Sequence, residues 1–123
     1  MGLPLSISEG EEVAVFRVGE ARIPLSPLIC FEDTVAGLAR DFVRRGARML
    51  ITQTNDAWFD PSSGSRQHML PCLFRCVENR VPVARCANSG VTCWIDATGR
   101  IGGDRGEAAG SLPVGRPGGA APQ

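Results

Sequence analysis

The stretch "RIPLSPLICFEDTVAGLARDFVRRGARMLITQT", residues 22–54, decides the fold of this 123-residue chain. It begins as an extended apolar run that ends near Phe31, and its two prolines weaken that strand or put one side of it at an edge or a bulge. Apolar side chains then recur at the spacing of an amphipathic helix, which Gly46 ends. A second apolar run, residues 48–54, predicts a short buried strand. Strand, helix and strand in this order predict a βαβ-like unit.

The predicted helix of this unit has its N-terminal cap at Asp33 or Thr34. Its apolar side chains follow the i, i+3, i+4, i+7, i+8 pattern of a helix that packs one face on a core, and its other face is basic. The apolar stripe consists of Val35, Leu38, Ala39, Phe42 and Val43, and the basic face consists of Arg40, Arg44 and Arg45.

Outside the unit, the pattern predicts three further strands and one further helix. Residues 12–18 alternate and form a hairpin with the apolar run behind them. After a polar loop, a helix is expected from about Ser65 to Asn79, and Pro71 kinks it or marks its effective start. Two strands, "PVARCA" and "VTCWID", then flank the turn "NSG". The residues expected to share one face of the second helix are Met69, Leu73, Cys76, Val77 and Arg80.

These elements predict an α/β architecture, with about five strands in a mixed sheet and two helices on one face of it. The other face of such a sheet has to be buried against another layer, which a second domain half or an identical chain would provide. From Gly102 the chain is rich in Gly, Pro and Ala. We therefore expect residues 104–123 to form a disordered tail.

Composition excludes several classes of function. The chain has 13 basic and 13 acidic residues, so no excess charge favours nucleic acid or an anionic membrane as a partner. All of the basic residues are arginines. The five cysteines form no CxxC pair, which argues against zinc ribbons and redox motifs, and we expect neither a metal nor a cofactor. No apolar run reaches the roughly 18 residues that span a bilayer, so we expect the chain taken alone to be soluble.

Cys30 has two interpretations. At the end of a strand and just before a helix, it lies where α/β enzymes place nucleophiles on a sharp turn. A free cysteine has a pKa of about 8.5, so a nucleophile at neutral pH needs a base or a nearby positive charge. Glu32 is an anion and works against thiolate formation, so it does not explain activation. Spacing alone leaves a small buried core thiol as the other interpretation of Cys30.

Four stretches in order carry a family resemblance: "PLICFEDTV", "TQTNDAWFD", "QHMLPCLFRCVENRVPVARCANSGVT" and "IDATGRI". Together they resemble the carbon–nitrogen hydrolase (nitrilase) superfamily, and within it the apolipoprotein N-acyltransferases. The cysteine–aromatic–glutamate turn is shared across the superfamily, whereas "NDAWF" is the acyltransferase signature. The resemblance covers roughly residues 10–103. It implies a partial nitrilase-like α-β-β-α fold in which residues 1–103 are the C-terminal half of the domain.

The resemblance implies ping-pong acyl transfer. A cysteine takes a fatty acyl group from a phospholipid donor as a thioester. It then passes the group to the α-amino group of the diacylglyceryl-cysteine at the N-terminus of an apolipoprotein acceptor. Cys30 matches the nucleophile and Glu32 matches the supporting acid beside it. The residues expected around the substrate pocket are Phe31, Asn55, Asp56, Trp58 and Phe59. Of these, Asn55 and Asp56 would hold their loop by hydrogen bonds from side chain to backbone.

The chain departs from the family in ways that matter for catalysis. The resemblance implies a Glu–Lys–Cys triad whose glutamate base and oxyanion-stabilising lysine lie well upstream of the cysteine. Only 29 residues precede Cys30, and the chain has no lysine. We therefore expect the chain alone to be inactive and to need the missing N-terminal half of the domain or a second copy. The parent protein is expected in the bacterial inner membrane, with this domain in the periplasm.

Two other functions remain open. A soluble nitrilase-type amidase would hydrolyse a small amide through the same thioester, although "NDAWF" disfavours it. A catalytically dead nitrilase-like module would use the half-fold for packing alone, which the missing glutamate and lysine favour.

Further residues have a structural and a functional interpretation each. His68, Cys72 and Cys76 share a helical face and could be zinc ligands, but core packing is the better interpretation. Cys86 and Cys93 flank the last turn, where thiol packing is favoured over a disulfide. Glu78 pairs with Arg80 near a helix end or, less simply, is catalytic. Trp94 is expected to pack against a neighbouring layer.

Overall fold

The computed structural model describes residues 10–57 and 64–105. Strands and helices alternate through its centre, and the remaining strands flank them. The elements are β1 (Phe16–Val18), β2 (Ile23–Ile29), α1 (Ala36–Arg44), β3 (Met49–Thr54), α2 (Gly64–Asn79), β4 (Val83–Ala87), β5 (Thr92–Ile95) and β6 (Ile101–Arg105). A short 3-10 helix, Cys30–Thr34, connects β2 to α1. The predicted strand–helix–strand unit and the second helix are confirmed.

The six described strands form one mixed sheet in the order β1-β2-β3-β4-β5-β6. The pairs β2–β3 and β3–β4 are parallel, and the other three pairs are antiparallel. Each parallel pair is connected by one helix, as parallel connections require. The fold is therefore α/β, as the sequence predicts.

The core lies between the sheet and the two helices. Because side chains alternate along a strand, every second residue of β2, β3, β4 and β5 faces the helices. The buried apolar residues of these strands are Leu28, Leu50, Val83, Cys93 and Ile95, and the helices contribute Ala39, Phe42, Met69, Cys72 and Cys76. Both helices thus cover the same face of the sheet.

The opposite face of the sheet is much less covered. Phe16 pairs with Leu25 and Val18 with Ile23, which puts all four side chains on this face. The exposed fractions are 52% for Phe16, 49% for Val18 and 51% for Ile29. Apolar residues that alternate in this way are the kind that a further layer buries.

Two details of the helices differ from the prediction. The cap of α1 is Val35, which makes no side-chain hydrogen bond, so the prediction of Asp33 or Thr34 as the cap is wrong. Asp33 is instead fully buried and Thr34 donates to the carbonyl of Phe31. Gly46 follows the helix with a φ of 105°, as a helix stop requires.

The buried face of α2 is also rotated from the predicted one. Val77 is 48% exposed, and Arg80 lies beyond the end of the helix at Asn79. Pro71 lies inside one continuous helix. The residues of α2 that are buried are His68, Met69, Cys72, Arg75 and Cys76. The polar side chains of His68 and Arg75 lie on this face because they contact buried groups, Arg85 of β4 and the backbone carbonyl of Asp33.

Strand β6 was not predicted. Its glycines look like tail sequence, but Gly102 pairs with Trp94 in the sheet. A side chain at position 102 would collide with the indole ring of Trp94, so glycine lets the ring lie across the strand. Trp94 therefore packs within its own sheet. The rest of the predicted disordered tail lies outside the described residues.

Candidate active site

The candidate site lies at the edge of the sheet where parallel strands β2 and β3 end. Cys30 follows the last residue of β2, Thr54 is the last residue of β3, and Asp56 comes two residues later. Open α/β sheets bind ligands at this edge because connecting loops from neighbouring strands converge there. The next parallel strand, β4, places Arg85 beside Thr52 of β3.

Cys30 occupies a strained turn. Its φ is 53°, in the left-handed region that residues with a side chain rarely adopt. Its side chain is partly exposed, and Sγ lies 3.7 Å from Oγ1 of Thr54. Such strain costs about 1–3 kcal/mol and is concentrated at active sites and ligand clamps. The sharp turn thus brings the thiol to the edge of the site instead of burying it in the core.

The two residues after Cys30 have separate structural roles. Glu32 turns back on its own loop, where Oε2 accepts a hydrogen bond of 2.7 Å from the Ile29 backbone. Phe31 is 59% exposed, and its ring centroid lies 4.7 Å from that of His68. Glu32 therefore stabilises the turn that holds Cys30, and Phe31 lies on the outer surface of this turn.

The loop after β3 begins with the predicted pair of polar residues. Asn55 Oδ1 accepts a hydrogen bond of 3.1 Å from the Ala57 backbone, as predicted. Asp56 behaves differently, because it is 2% exposed and binds other side chains instead of the backbone. Thr54 Oγ1 donates to Asp56 Oδ1 over 3.0 Å. The predicted pocket residues Trp58 and Phe59 lie outside the described residues.

A buried ion cluster joins these two loops. Arg85 is fully buried, and its Nη1 donates to Asp33 Oδ2 while its Nη2 donates to Asp56 Oδ2, each over 3.0 Å. Burial lowers the pKa of Arg85, but contact with Cys72 and the two carboxylates outweigh it, so the pKa is raised overall. One guanidinium is thus bound to the turn that holds Cys30 on one side and to the loop after β3 on the other.

Helix α2 completes this cluster from the opposite side. His68 is buried, and its Nδ1 lies 2.8 Å from Asp56 Oδ1, where an Nδ1–H donates to the carboxylate. Its Nε2 lies 3.6 Å from Asp33 Oδ1. Arg75 Nη1 donates to the backbone carbonyls of Asp33 and Thr34 over 3.3 and 3.2 Å. The helix therefore supports both loops that form the site.

Sequence reasoning missed Asp33, Arg75 and Arg85 as site residues. One sequence feature could have revealed Arg85. It stands in the strand "PVARCA" at the position that alternation assigns to the core, and an arginine there needs buried carboxylates as partners. The predicted pair of Glu78 with Arg80 is wrong, because Glu78 Oε1 accepts from Arg75 Nη2 over 3.0 Å.

The zinc interpretation of the α2 face has no support in the geometry. In the described part of the chain, no group of three or more His, Cys, Asp or Glu side chains is placed to hold a metal ion. Burial is the main cause that raises the pKa of Cys72 to about 11 and that of Cys76 to about 12. Both thiols stay protonated at neutral pH and are core groups.

The last pair of cysteines points to opposite sides of the sheet. Cys93 is fully buried and pairs with Arg85, whereas its neighbour Cys86 is exposed on the other face. The expected thiol packing is found for Cys93 and is wrong for Cys86, whose side chain is exposed. Cys30 and Cys86 are thus the solvent-accessible thiols of the described residues, and only Cys30 lies at the parallel-strand edge.

Comparison with known proteins adds a family to this geometry. The family model described as carbon-nitrogen hydrolase matches residues 3–112. The chain belongs to the carbon–nitrogen hydrolase family. The predicted family resemblance is confirmed.

Two curated relatives of this carbon–nitrogen hydrolase chain are named apolipoprotein N-acyltransferase. This chain is 47% identical over 96 residues to the apolipoprotein N-acyltransferase of Geobacter metallireducens. The aligned region covers 78% of this chain and 18% of that relative. This chain is also 45% identical over 99 residues to the apolipoprotein N-acyltransferase of Chlorobaculum tepidum. That alignment covers 77% of this chain and 18% of the relative. The chain thus spans less than a fifth of the length of these relatives.

Solved structures support the fold. Nit3 of Saccharomyces cerevisiae, a member of branch 10 of the nitrilase superfamily, matches with a TM-score of 0.69 and 23% identity, covering 83% of this chain and 40% of Nit3. An amidase mutant from Nesterenkonia matches with a TM-score of 0.63 and 20% identity, covering 80% of this chain and 39% of the amidase. Across residues 10–57 and 64–105, no helix has the length and hydropathy needed to cross a bilayer.

Proposed function

We propose that the chain carries the nucleophile of an apolipoprotein N-acyltransferase, and that this nucleophile is Cys30. The observation that carries the proposal is the left-handed backbone of Cys30 at the end of a parallel strand. Among the thiols of the described residues it combines access to solvent with this position, and the relatives that share its sequence surroundings are named acyltransferases.

The proposed reaction has two covalent steps at one sulfur atom. The Cys30 thiol gives its proton to the upstream base, its sulfur attacks the acyl carbonyl of a phospholipid and forms a thioester, and the base returns that proton to the alkoxide of the departing lysophospholipid. The α-amino group of an apolipoprotein's diacylglyceryl-cysteine then attacks the thioester, forms an amide and returns the thiol. Glu32 supports the first step through the hydrogen bond that holds its turn.

The reaction needs groups that this chain does not supply. The resemblance implies a glutamate base and a lysine upstream of the nucleophile, and the chain has no lysine. Losing one oxyanion donor costs about 2.7–4 kcal/mol in the barrier of an enzyme, and losing the base removes most of what remains. The chain alone is therefore inactive in this proposal.

The half-exposed face of the sheet indicates where the rest of the site would attach. Phe16, Val18 and Ile29 lie there with about half of their surface in solvent. In the proposal this face is covered by the N-terminal half of the domain or by a second copy of the chain.

The proposal also locates the parent protein in the bacterial inner membrane, with this domain in the periplasm, where acceptor and phospholipid meet.

A chimera tests the proposed function. The segment of the Geobacter enzyme that aligns with this chain is replaced by the chain's 96 matching residues. Acyl transfer from phospholipid to a diacylglyceryl-cysteine peptide is expected in the chimera, and not in the chain alone. Acylation of Cys30 in the isolated chain faster than that of free cysteine would contradict the need for the upstream groups.

Two results of the same experiment would favour the other functions. A chimera that releases acid from a small amide, but transfers no acyl group, would indicate an amidase. A folded chimera with neither activity would indicate a catalytically dead nitrilase-like module.

A further inference from the structure

We propose that Arg85 is a positioning residue of the site, which sets the place of the Cys30 thiol through two buried carboxylates. The inference rests on the proposed function only in that Cys30 is the nucleophile. It concerns a residue on β4 whose guanidinium contacts Asp33, Asp56, Cys72 and His68. The guanidinium of Arg85 joins the two loops of the site.

The first observation is that the guanidinium binds two segments with two different atoms. Nη1 binds Asp33, three residues after Cys30, and Nη2 binds Asp56, two residues after Thr54. The planar fork of an arginine fixes both distances and both directions at once. A single rigid side chain therefore sets the separation between the nucleophile turn and the loop after β3.

The second observation is that the two segments also meet at the thiol itself. Thr54 Oγ1 donates its proton to Asp56 Oδ1 over 3.0 Å. The same hydroxyl also lies 3.7 Å from Cys30 Sγ, to which it is placed as a donor. Contacts thus form a closed ring that runs from Cys30 through Thr54, Asp56, Arg85 and Asp33 and back along the backbone to Cys30. Displacing any member moves the sulfur.

The third observation concerns what an ordinary core residue would do at position 85. Its neighbours in the same row of the sheet are Thr52 and Cys93, so a side chain of apolar type would continue the core there. Burying an ion pair contributes little net stability compared with well-packed apolar side chains. The arginine adds directed bonds to two loops, which an apolar side chain does not provide.

The five cysteines supply the test. The 123-residue chain is treated with iodoacetamide, and the alkylation rate of each cysteine is measured by peptide mass spectrometry in the wild type, R85K, R85M, Thr54→Val and Thr54→Ser. Cys86 is exposed, so its alkylation rate measures the reactivity of the iodoacetamide itself. Cys76 and Cys93 are fully buried and report loss of the core. No acyl donor is present, so failure of the proposed acyl transfer leaves this measurement unaffected.

A positioning role predicts a change at Cys30 alone. In R85M and in Thr54→Val, the ratio of the Cys30 rate to the Cys86 rate is expected to differ from the wild-type ratio by about fivefold, the effect of losing or displacing the one hydrogen bond that Thr54 makes with Cys30. R85K, which keeps the charge, is expected to fall between R85M and the wild type, and Thr54→Ser is expected to match the wild type. Cys76 and Cys93 stay protected.

Two results would overturn the inference. One is an unchanged Cys30 ratio in R85K and Thr54→Val. The other is a rise at Cys30 that is matched at Cys76 and Cys93 in every variant, which would make Arg85 a merely structural residue. If R85M alone exposes the core, the ratios of R85K and Thr54→Val decide.

Discussion

The Nη1 atom of Arg85 lies 3.0 Å from Oδ2 of Asp33, although 52 residues of chain separate them. This bond connects the middle of strand β4 to the turn that holds Cys30. It spans the central part of the fold, because this turn follows β2, and β3 lies between β2 and β4 in the sheet. The stability of the core and the geometry of the nucleophile therefore depend on the same buried contact.

Replacing Arg85 with methionine should destabilise the chain strongly. The change leaves Asp33 and Asp56 buried without their cation, and breaking a buried ion pair costs about 3–5 kcal/mol. Urea denaturation measures the loss in the free energy of unfolding. R40M is the matched control, since Arg40 is exposed on α1, and it should change stability by less than about 0.5 kcal/mol. Equal effects of the two variants would contradict the assigned cost of the cluster.

Replacing Gly90 with alanine should disturb the site from the turn between β4 and β5. The φ of Gly90 is 120°, and an added Cβ would lie 2.7 Å from Asp56 Oδ2. Strain and the displaced carboxylate should together cost about 1–3 kcal/mol. Gly37→Ala is the control, because α1 leaves open space there and alanine favours a helix by about 0.5–1 kcal/mol over glycine. A neutral G90A would argue against the close packing of this turn on Asp56.

Removing the carboxylate of Glu32 should loosen the nucleophile turn. Glu32→Ala loses the acceptor for the Ile29 backbone N–H, which is worth about 0.5–1.5 kcal/mol. Glu32→Gln keeps a side-chain oxygen at the same reach and should retain most of that stability. Thermal unfolding of the two variants checks the difference. If Gln destabilises as much as Ala, the negative charge matters more than the hydrogen bond.

Stability should fall in alkaline solution because of the buried thiols. The pKa values of Cys72 and Cys76 are raised from 9.0 to about 11 and about 12 in the folded chain. The unfolded chain therefore releases these protons at lower pH than the folded chain does. The stabilisation is fully present below pH 9 and is lost as the pH rises through 11 and 12.

This alkaline decline is simple to assign, because the chain contains no lysine and no tyrosine. Urea denaturation at pH 8 and pH 10.5 measures it, and the expected loss in the free energy of unfolding is about 1.4 kcal/mol per thiol for each pH unit above 9. Cys76→Ala, compared with its own value at pH 8, should show a shallower decline than the wild type. An equal decline would contradict the burial of that thiol.

Much of the fold could be predicted from the sequence because its central elements obey simple periodicities. The apolar stripe of α1 and the short runs of β2 and β3 fix the parallel unit without tertiary information. Strand β6 could not be predicted, since Gly102 offers no side-chain pattern and pairs by its backbone beneath Trp94. The cap of α1 was mistaken because the burial of Asp33 depends on a residue 52 positions away.

The site was predictable in part for the same reason. Local sequence places Cys30 on a turn and Asn55 in a loop that it stabilises. The partners of Asp56 come from β4 and α2, and no local pattern brings His68 and Arg85 to one carboxylate. Arg85 itself is the exception, because a charged residue at a core position of a strand signals a buried partner.

The residue that carries the acyl group shows most directly whether Cys30 is the nucleophile. The chimera of this chain with the Geobacter enzyme is incubated with phospholipid without acceptor, and its peptides are mapped by mass spectrometry. We expect a fatty acyl thioester on Cys30. This thioester should be absent from the Cys30→Ser variant and unchanged in the Cys86→Ser variant. An acyl group on Cys86, or acyl transfer that continues in Cys30→Ser, would contradict the assignment of Cys30 as the nucleophile.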